Sequence, residues 1–306
     1  MAILLAMAAA LANAFTSILQ RLGVQKAPPG SSMRWSLIAH ALKQPVWFAG
    51  FATMAAGFVL QFLALDFGGL DTVQPVLTFE LVFLVIIVGL WFRQHVGWHE
   101  LVGASATSAG LAGFLFASAP GGGDRIPGVE NWLEMASAIL VAVAALVLLA
   151  RRGNPKRRAA LFGSAAALGF AFTASLIKAT TTHLHEGGWS AAFGHWEIYG
   201  LALSGLISMF LAQNAFHAGP ITISQSALVV VDPLASILIG ISLFGDRLMT
   251  SGVRGPGEAI ALLALFIGVV TLAHSPLVAA GKADDHAPVR STKLAGHRTL
   301  FQRGAS

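Results

Sequence analysis

Nine apolar runs, each close to the ~20 residues that a membrane-crossing helix needs, follow one another along this 306-residue chain. They occupy positions 2–22, 46–65, 72–92, 97–117, 132–150, 161–181, 196–216, 221–244 and 258–274. Inside hydrocarbon no water is present to pair with backbone N–H and C=O groups, and a helix satisfies both within itself. The runs therefore predict an all-α polytopic membrane protein. Composition supports this: only 11% of residues are charged, against about 25% in a soluble domain. A large soluble core would explain neither the missing charge nor the length of the runs. Breakers punctuate the connections, as in "KAPPGSS", "DFGGLD", "RRGNPKRR" and "HAGP". There is no cysteine, hence no disulfide framework and no thiolate metal site.

The charges sort by side. Numbering the connections alternately, Arg21, Lys26, Arg34, Lys43, Arg93 and the cluster at 151–158 fall on one side, and a tail after the ninth run falls there too. Fifteen of the 19 Lys and Arg are then on that side, and Arg125, Lys178, Arg247 and Arg254 are on the other. The positive-inside rule predicts an external N-terminus and a cytoplasmic C-terminus in the cell membrane. This also accounts for the net charge of +5 without a nucleic-acid partner. The first run lacks the basic start of a signal peptide and is expected to be retained. The polar stretch 275–306 is expected to be a disordered cytoplasmic tail.

The sequence also repeats itself. "ALANAFTSIL" at 10–19 and "ALGFAFTASL" at 167–176 agree at six of ten positions, including Thr16 and Thr173, at an offset of 157. "ALDFGGLDTVQPVL" at 64–77 aligns with "AFHAGPITISQSAL" at 215–228 at an offset of 151, matching Gln74 with Gln225. Both matches keep their order and their place within the run. The first copy, residues 1–150, holds five runs. A basic loop at 151–158 follows, and the second copy, 159–274, holds four. Five is odd, so the second copy enters the membrane in the opposite direction. Inverted repeats of this kind recur in secondary transporters.

With its inverted units, the short hairpin connections and "GISLFGDRL" at 240–248, the chain resembles the drug/metabolite transporter superfamily of EamA type. The stretch 32–77 is similar to the NIPA-like branch, whose members are described as magnesium transporters with nine spans and an external N-terminus. The resemblance implies a transporter moving a small molecule or cation, with no enzymatic activity and no cofactor. Two acidic positions of that branch are absent here: Phe58 follows Gly57, and Arg93 and Gln94 follow the third run. Magnesium prefers hard oxygen ligands, so their absence weakens the magnesium reading.

Ionisable groups inside a membrane are costly and mark functional positions. Glu80 lies in the third run and Asp232 in the eighth, followed by Pro233. At the repeat offset of 151, Glu80 maps next to Asp232, so each half carries a carboxylate at similar depth. Gln61, Gln74, Gln213, Asn214, Gln225, Thr16 and Thr173 are further candidates for a polar pathway, with Asn13 and Gln20 beside them. Each could equally serve an interhelical hydrogen bond. Proline opens the helical ladder, so Pro75 and Pro233 could free carbonyls beside the carboxylates or simply bend the helices. His183, His185, Glu186, His195 and Glu197 crowd the sixth connection; their spacing matches no defined zinc pattern and reads as a wet polar loop, leaving any metal ligand undetermined. "GASATSAGLAG" at 103–113 offers small residues for close helix packing. "GGGD" at 121–124 reads as linker. The alternatives are a divalent-cation transporter and a non-transporting membrane scaffold or lipid-handling protein. Lipid is the expected surrounding, and pairing into a homodimer stays open.

Overall fold

The apolar runs fold as helices in the computed structural model, which describes residues 1–25, 27, 33–67, 73, 76–91, 96–118, 127–245 and 254–273. These are α1 (Ala2–Gln25), α2 (Trp35–Ala41), α3 (Pro45–Phe67), α4 (Glu80–Trp91), α5 (Trp98–Ser118), α6 (Val129–Ala150), α7 (Pro155–Gly194), α8 (Glu197–Ala218), α9 (Ile221–Ile239) and α10 (Arg254–Ala273). A π-helical turn, Gly240–Phe244, extends α9 and ends at Gly245 in the left-handed region (φ 72°). Among the described residues, six helices are long and apolar enough to cross a membrane, and three shorter apolar stretches accompany them within α3, α4 and α10. Leu140, Val141, Leu206, Ile260 and Phe266 are broadly exposed on the outside of the bundle. Water would penalise such a surface and lipid does not, so the chain is a multi-pass membrane protein. The tail 275–306, the linker at 121–124, Gln74, Pro75, Arg93 and Gln94 lie outside the described residues.

Three local expectations change. The first connection contains the short helix α2. The third run is not one helix: it turns at Thr78 and Phe79, and α4 begins at Glu80. Here the bonds tighten to Phe79 N→Val76 O (3.1 Å) and Leu81 N→Thr78 O (3.4 Å). Thr78 also exchanges two bonds with α5, donating to Ser108 O (3.0 Å) and accepting from Ser108 Oγ (2.7 Å). A backbone group engaged this way no longer serves a regular ladder. Finally, the sixth connection is mostly helical. α7 runs on through His183, His185 and Glu186 and kinks only at Gly188 (φ 68°, ψ −164°), a conformation that glycine adopts without a Cβ penalty. Thr180, Thr181 and Thr182 turn their hydroxyls back onto carbonyls four residues earlier, so this polar stretch satisfies itself without leaving the helix.

α1 packs broadly on α3, α7 on α8 and α9, and α5 on α10. The buried Arg21 donates to the carbonyl of Gly219, which abuts Pro155. At the other end Trp132 packs edge-on against Trp196 (5.5 Å) and Phe172 (5.9 Å), and Lys178 Nζ lies 4.2 Å over the Phe244 ring.

Two sets of contacts occur twice. Thr16 pairs with Thr53 at 3.0 Å between α1 and α3, and Thr173 with Ser204 at 2.9 Å between α7 and α8. Thr173 follows Thr16 by 157 positions and Ser204 follows Thr53 by 151, the two offsets of the sequence repeat. The α5–α10 contact is reciprocal. A methyl on Gly110 would strike Leu265 N and lie 2.7 Å from Ala261 O. A methyl on Gly268 would strike Thr107 N and lie 2.8 Å from Gly103 O. The helices cross antiparallel, backbone on backbone, and the small residues of 103–113 make this approach possible.

Gly110→Leu and Gly268→Leu should each force α5 and α10 apart. Overpacking of this kind costs about 1–3 kcal/mol or more, which thermal unfolding of the purified protein should read as a drop of several degrees. Gly257→Ala, where nothing lies within 4 Å, should leave the transition in place.

Candidate functional site

Glu80 opens α4, and the positive end of a helix favours an anion in its first turn. Its Oε1 accepts a bond from Gln225 Nε2 on α9 at 3.0 Å, and Asn13 of α1 supplies a further side-chain bond. Three helices thus converge on one carboxylate. Asn13 reaches it because Gly57 leaves room: a Cβ there would lie 2.6 Å from Asn13 Oδ1. Phe58, the neighbouring position where the NIPA-like pattern carries an acid, is 65% exposed on the outside of the bundle.

Asp232 comes from the middle of α9. Pro233 behind it has no N–H, so the carbonyl of Val229 loses its helical partner. Asp232 Oδ1 and Gln225 Oε1 are both buried, and neither has a hydrogen-bond partner among the described residues. Glu80 and Asp232 are close enough for the charge of one to act on the other. They line one cavity of about 360 Å³, joined by Asn13, Thr16, Gln20, Gln61 and Thr78. Leu111, Phe170, Met209 and Phe216 supply apolar wall, and among the described residues no Lys, Arg or His lines it. Two carboxylates in such a place, with no cationic side chain beside them, call for a positive charge from outside: protons or a bound cation.

Of the residues singled out from sequence, Glu80, Asp232, Gln225, Gln61 and Thr16 share this cavity. Gln213 and Asn214 do not. Gln213 is fully buried, accepts from Trp47 Nε1 (3.1 Å) and donates to Gln20 Oε1 (3.0 Å), tying α8 to α1 and α3. Asn214 caps the backbone of Met33 (2.6 Å) and donates to Phe210 O (2.8 Å). Met33 has a φ of 58°, an unusual conformation for a side-chain-bearing residue, and this bond helps hold it. Thr173 is spent on Gly169 O and Ser204. Thr78 entered the site unforeseen. The signal that could have found it is the proline at position 75 in an apolar run, which marks a broken helix just ahead of a buried acid.

No protein-family model matches the chain, and no solved structure matches it. An uncharacterized protein of Corynebacterium glutamicum is 26% identical over 281 residues, covering 92% of this chain and 97% of that protein. The likeness runs through almost the whole chain rather than one helix, and it brings no activity with it.

The natural chain has no cysteine, so single cysteines report cleanly. In Thr16→Cys and Gln61→Cys, a small water-soluble thiol reagent should react at least about tenfold faster than in Thr173→Cys. Labelling rates in proteoliposomes measure this, and equal rates would remove the cavity as an aqueous site.

Proposed function

We propose that this chain is a secondary transporter of the drug/metabolite type, moving a small solute across the cytoplasmic membrane in exchange with, or together with, a proton or cation held by Glu80 and Asp232. The observation that carries the reading is the pair of carboxylates in one cavity with no cationic side chain among the described residues that line it. A scaffold has no use for them: an Asp at a helix centre costs about 2.5–3.5 kcal/mol on insertion scales, and Leu and Val surround both positions.

The architecture in this reading is nine crossings arranged as an inverted repeat of five and four helices. Its support is the doubled Thr16–Thr53 and Thr173–Ser204 contact and the reciprocal Gly110 and Gly268 contacts. An antiparallel crossing that maps onto itself is what a two-fold axis in the membrane plane produces. Two such halves can exchange conformations and open the cavity to each side in turn. Protons or a cation arriving at the pair cancel its charge, which makes closure over the site affordable in a low-dielectric surrounding. Release on the far side restores the charge and the Gln225–Glu80 bond. The discontinuity ahead of α4 and the proline in α9 supply the irregular backbone that transporters place around such sites.

A divalent cation as the transported species itself is favoured by one observation, the unpartnered oxygens of Asp232 and Gln225 beside Glu80. Hard cations take such oxygens.

Glu80→Gln and Asp232→Asn keep the shape and remove the charge. In proteoliposomes each should retain insertion and lower gradient-driven uptake at least about tenfold, the scale of about 1.4 kcal/mol. Uptake assayed across a pH series, with a proton gradient and then with a magnesium gradient, separates the two readings. Normal uptake by both variants at every pH would remove the pair from the mechanism. The distribution of basic residues supports an external N-terminus and a cytoplasmic C-terminus. A reporter joined after Ser306 should be active in the cytoplasm; activity on the other side would reverse this orientation and overturn the count of crossings.

A further inference from the structure

At the end of α7 remote from the basic residues 151–158, three polar side chains of one connection come together. His183 Nε2 lies 3.6 Å from Glu197 Oε1, and His195 Nδ1 lies 4.0 Å from Glu197 Oε2. One ligand atom from each of the three residues falls within 4.8 Å of the others. The two imidazole rings stack, 3.8 Å apart and 7° from parallel. Glu197 sits in the first turn of α8 with its side chain 10% exposed, and its Oε2 is buried without a hydrogen-bond partner among the described residues. His185 and Glu186, the other polar residues of this stretch, are exposed and stay outside the group.

The two contacts are of ion-pair length, but hydrogen bonding does not account for this arrangement. Both His–Glu distances exceed the 2.7–3.2 Å of an N–H···O bond, so the buried carboxylate is approached on two sides and bonded on neither. Two imidazole nitrogens and one carboxylate oxygen form a donor set suited to a borderline transition cation. Magnesium and calcium take oxygen donors instead. We propose that His183, His195 and Glu197 bind a divalent transition cation of the zinc class through three protein donors, with a fourth position open to water.

The backbone around the group supports this. Zinc–nitrogen bonds are about 2.0–2.1 Å long, so the donors must draw together around the ion. An ion also lies in the plane of each ring that binds it, so ligation turns one ring out of the stack. His195 can turn: it stands between α7 and α8 in extended backbone (φ −106°, ψ 149°), and its side chain is 49% exposed. His183, on the long helix, and Glu197, buried at the start of α8, are the fixed members. The bound ion would fasten the kinked end of α7 to the first turn of α8. The group shares no residue with the central cavity, so the two sites stand or fall separately.

The test uses the full-length chain, freed of any purification tag, in detergent micelles. Cobalt(II) should bind at one equivalent per chain with the strong visible absorption of a four-coordinate site. One equivalent of zinc(II) should abolish that absorption, and millimolar magnesium should not. His183→Gln and His195→Gln should each weaken zinc binding at least about tenfold, while His185→Gln leaves it unchanged. A wild-type titration without a saturable, four-coordinate one-to-one signal overturns the proposal, whatever the variants do. So does binding that survives both His183→Gln and His195→Gln at full strength.

Discussion

Two carboxylates buried in a lipid-embedded bundle set the terms for every helix around them. Neither Glu80 nor Asp232 can face hydrocarbon, so α1, α4 and α9 must converge to screen them. The bond from Gln225 to Glu80 is the direct expression of that convergence, linking residues 145 positions apart in the chain. Asn13 joins it from α1, and Gly57 on α3 gives Asn13 the room to do so. The charge thereby dictates not only its immediate partners but also the absence of a side chain one helix further out.

Around this centre the bundle is held by two different means. α5 and α10 meet through glycine backbones, where lipid gives no hydrophobic push and close van der Waals approach has to supply the attraction. α1, α3 and α8 meet through amides and an indole, in the chain Trp47–Gln213–Gln20. The first means rests on shape and the second on polarity that is fully used within the protein. This division explains why some intramembrane polar residues line the cavity and others do not: Gln213 has spent its donors and acceptor on neighbours, whereas Gln225 keeps a free carbonyl oxygen.

Much of this was legible in the sequence because hydrophobic length and charge cost leave strong traces. The long helices follow from apolar runs, and the importance of Glu80 and Asp232 follows from the expense of putting an acid among Leu and Val. The repeat singled out Thr16 and Thr173, and each meets a hydroxyl of a neighbouring helix, on Thr53 and Ser204, neither of which the sequence had marked. What sequence could not separate was a polar residue turned toward a cavity from one turned toward a neighbour. Gln61 and Gln213 look alike in one dimension, and only the angle around the helix distinguishes them. The proline at position 75 was a trace of the break at Thr78, but the bonds to Ser108 that hold it, 30 positions away, left none. The continuation of α7 through "TTTHLHEGG" was hidden because polar composition resembles a loop, while the threonine hydroxyls satisfy the helix from within.

That continuation has a mechanical consequence. Up to its kink at Gly188, α7 is about 50 Å long at 1.5 Å per residue, well beyond the ~30 Å of a hydrocarbon core. Its far end carries histidines and a glutamate, and Trp189 and Phe193 stand exposed just past the kink, the kind of residues that settle at the headgroup level. A helix this long either tilts or projects, and its balance between the two shifts with the thickness of the surrounding bilayer. Because α7 packs along both α8 and α9, a change in its tilt is passed to the helix that holds Asp232. Bilayer thickness and the helix that holds Asp232 thus meet in one element, α7.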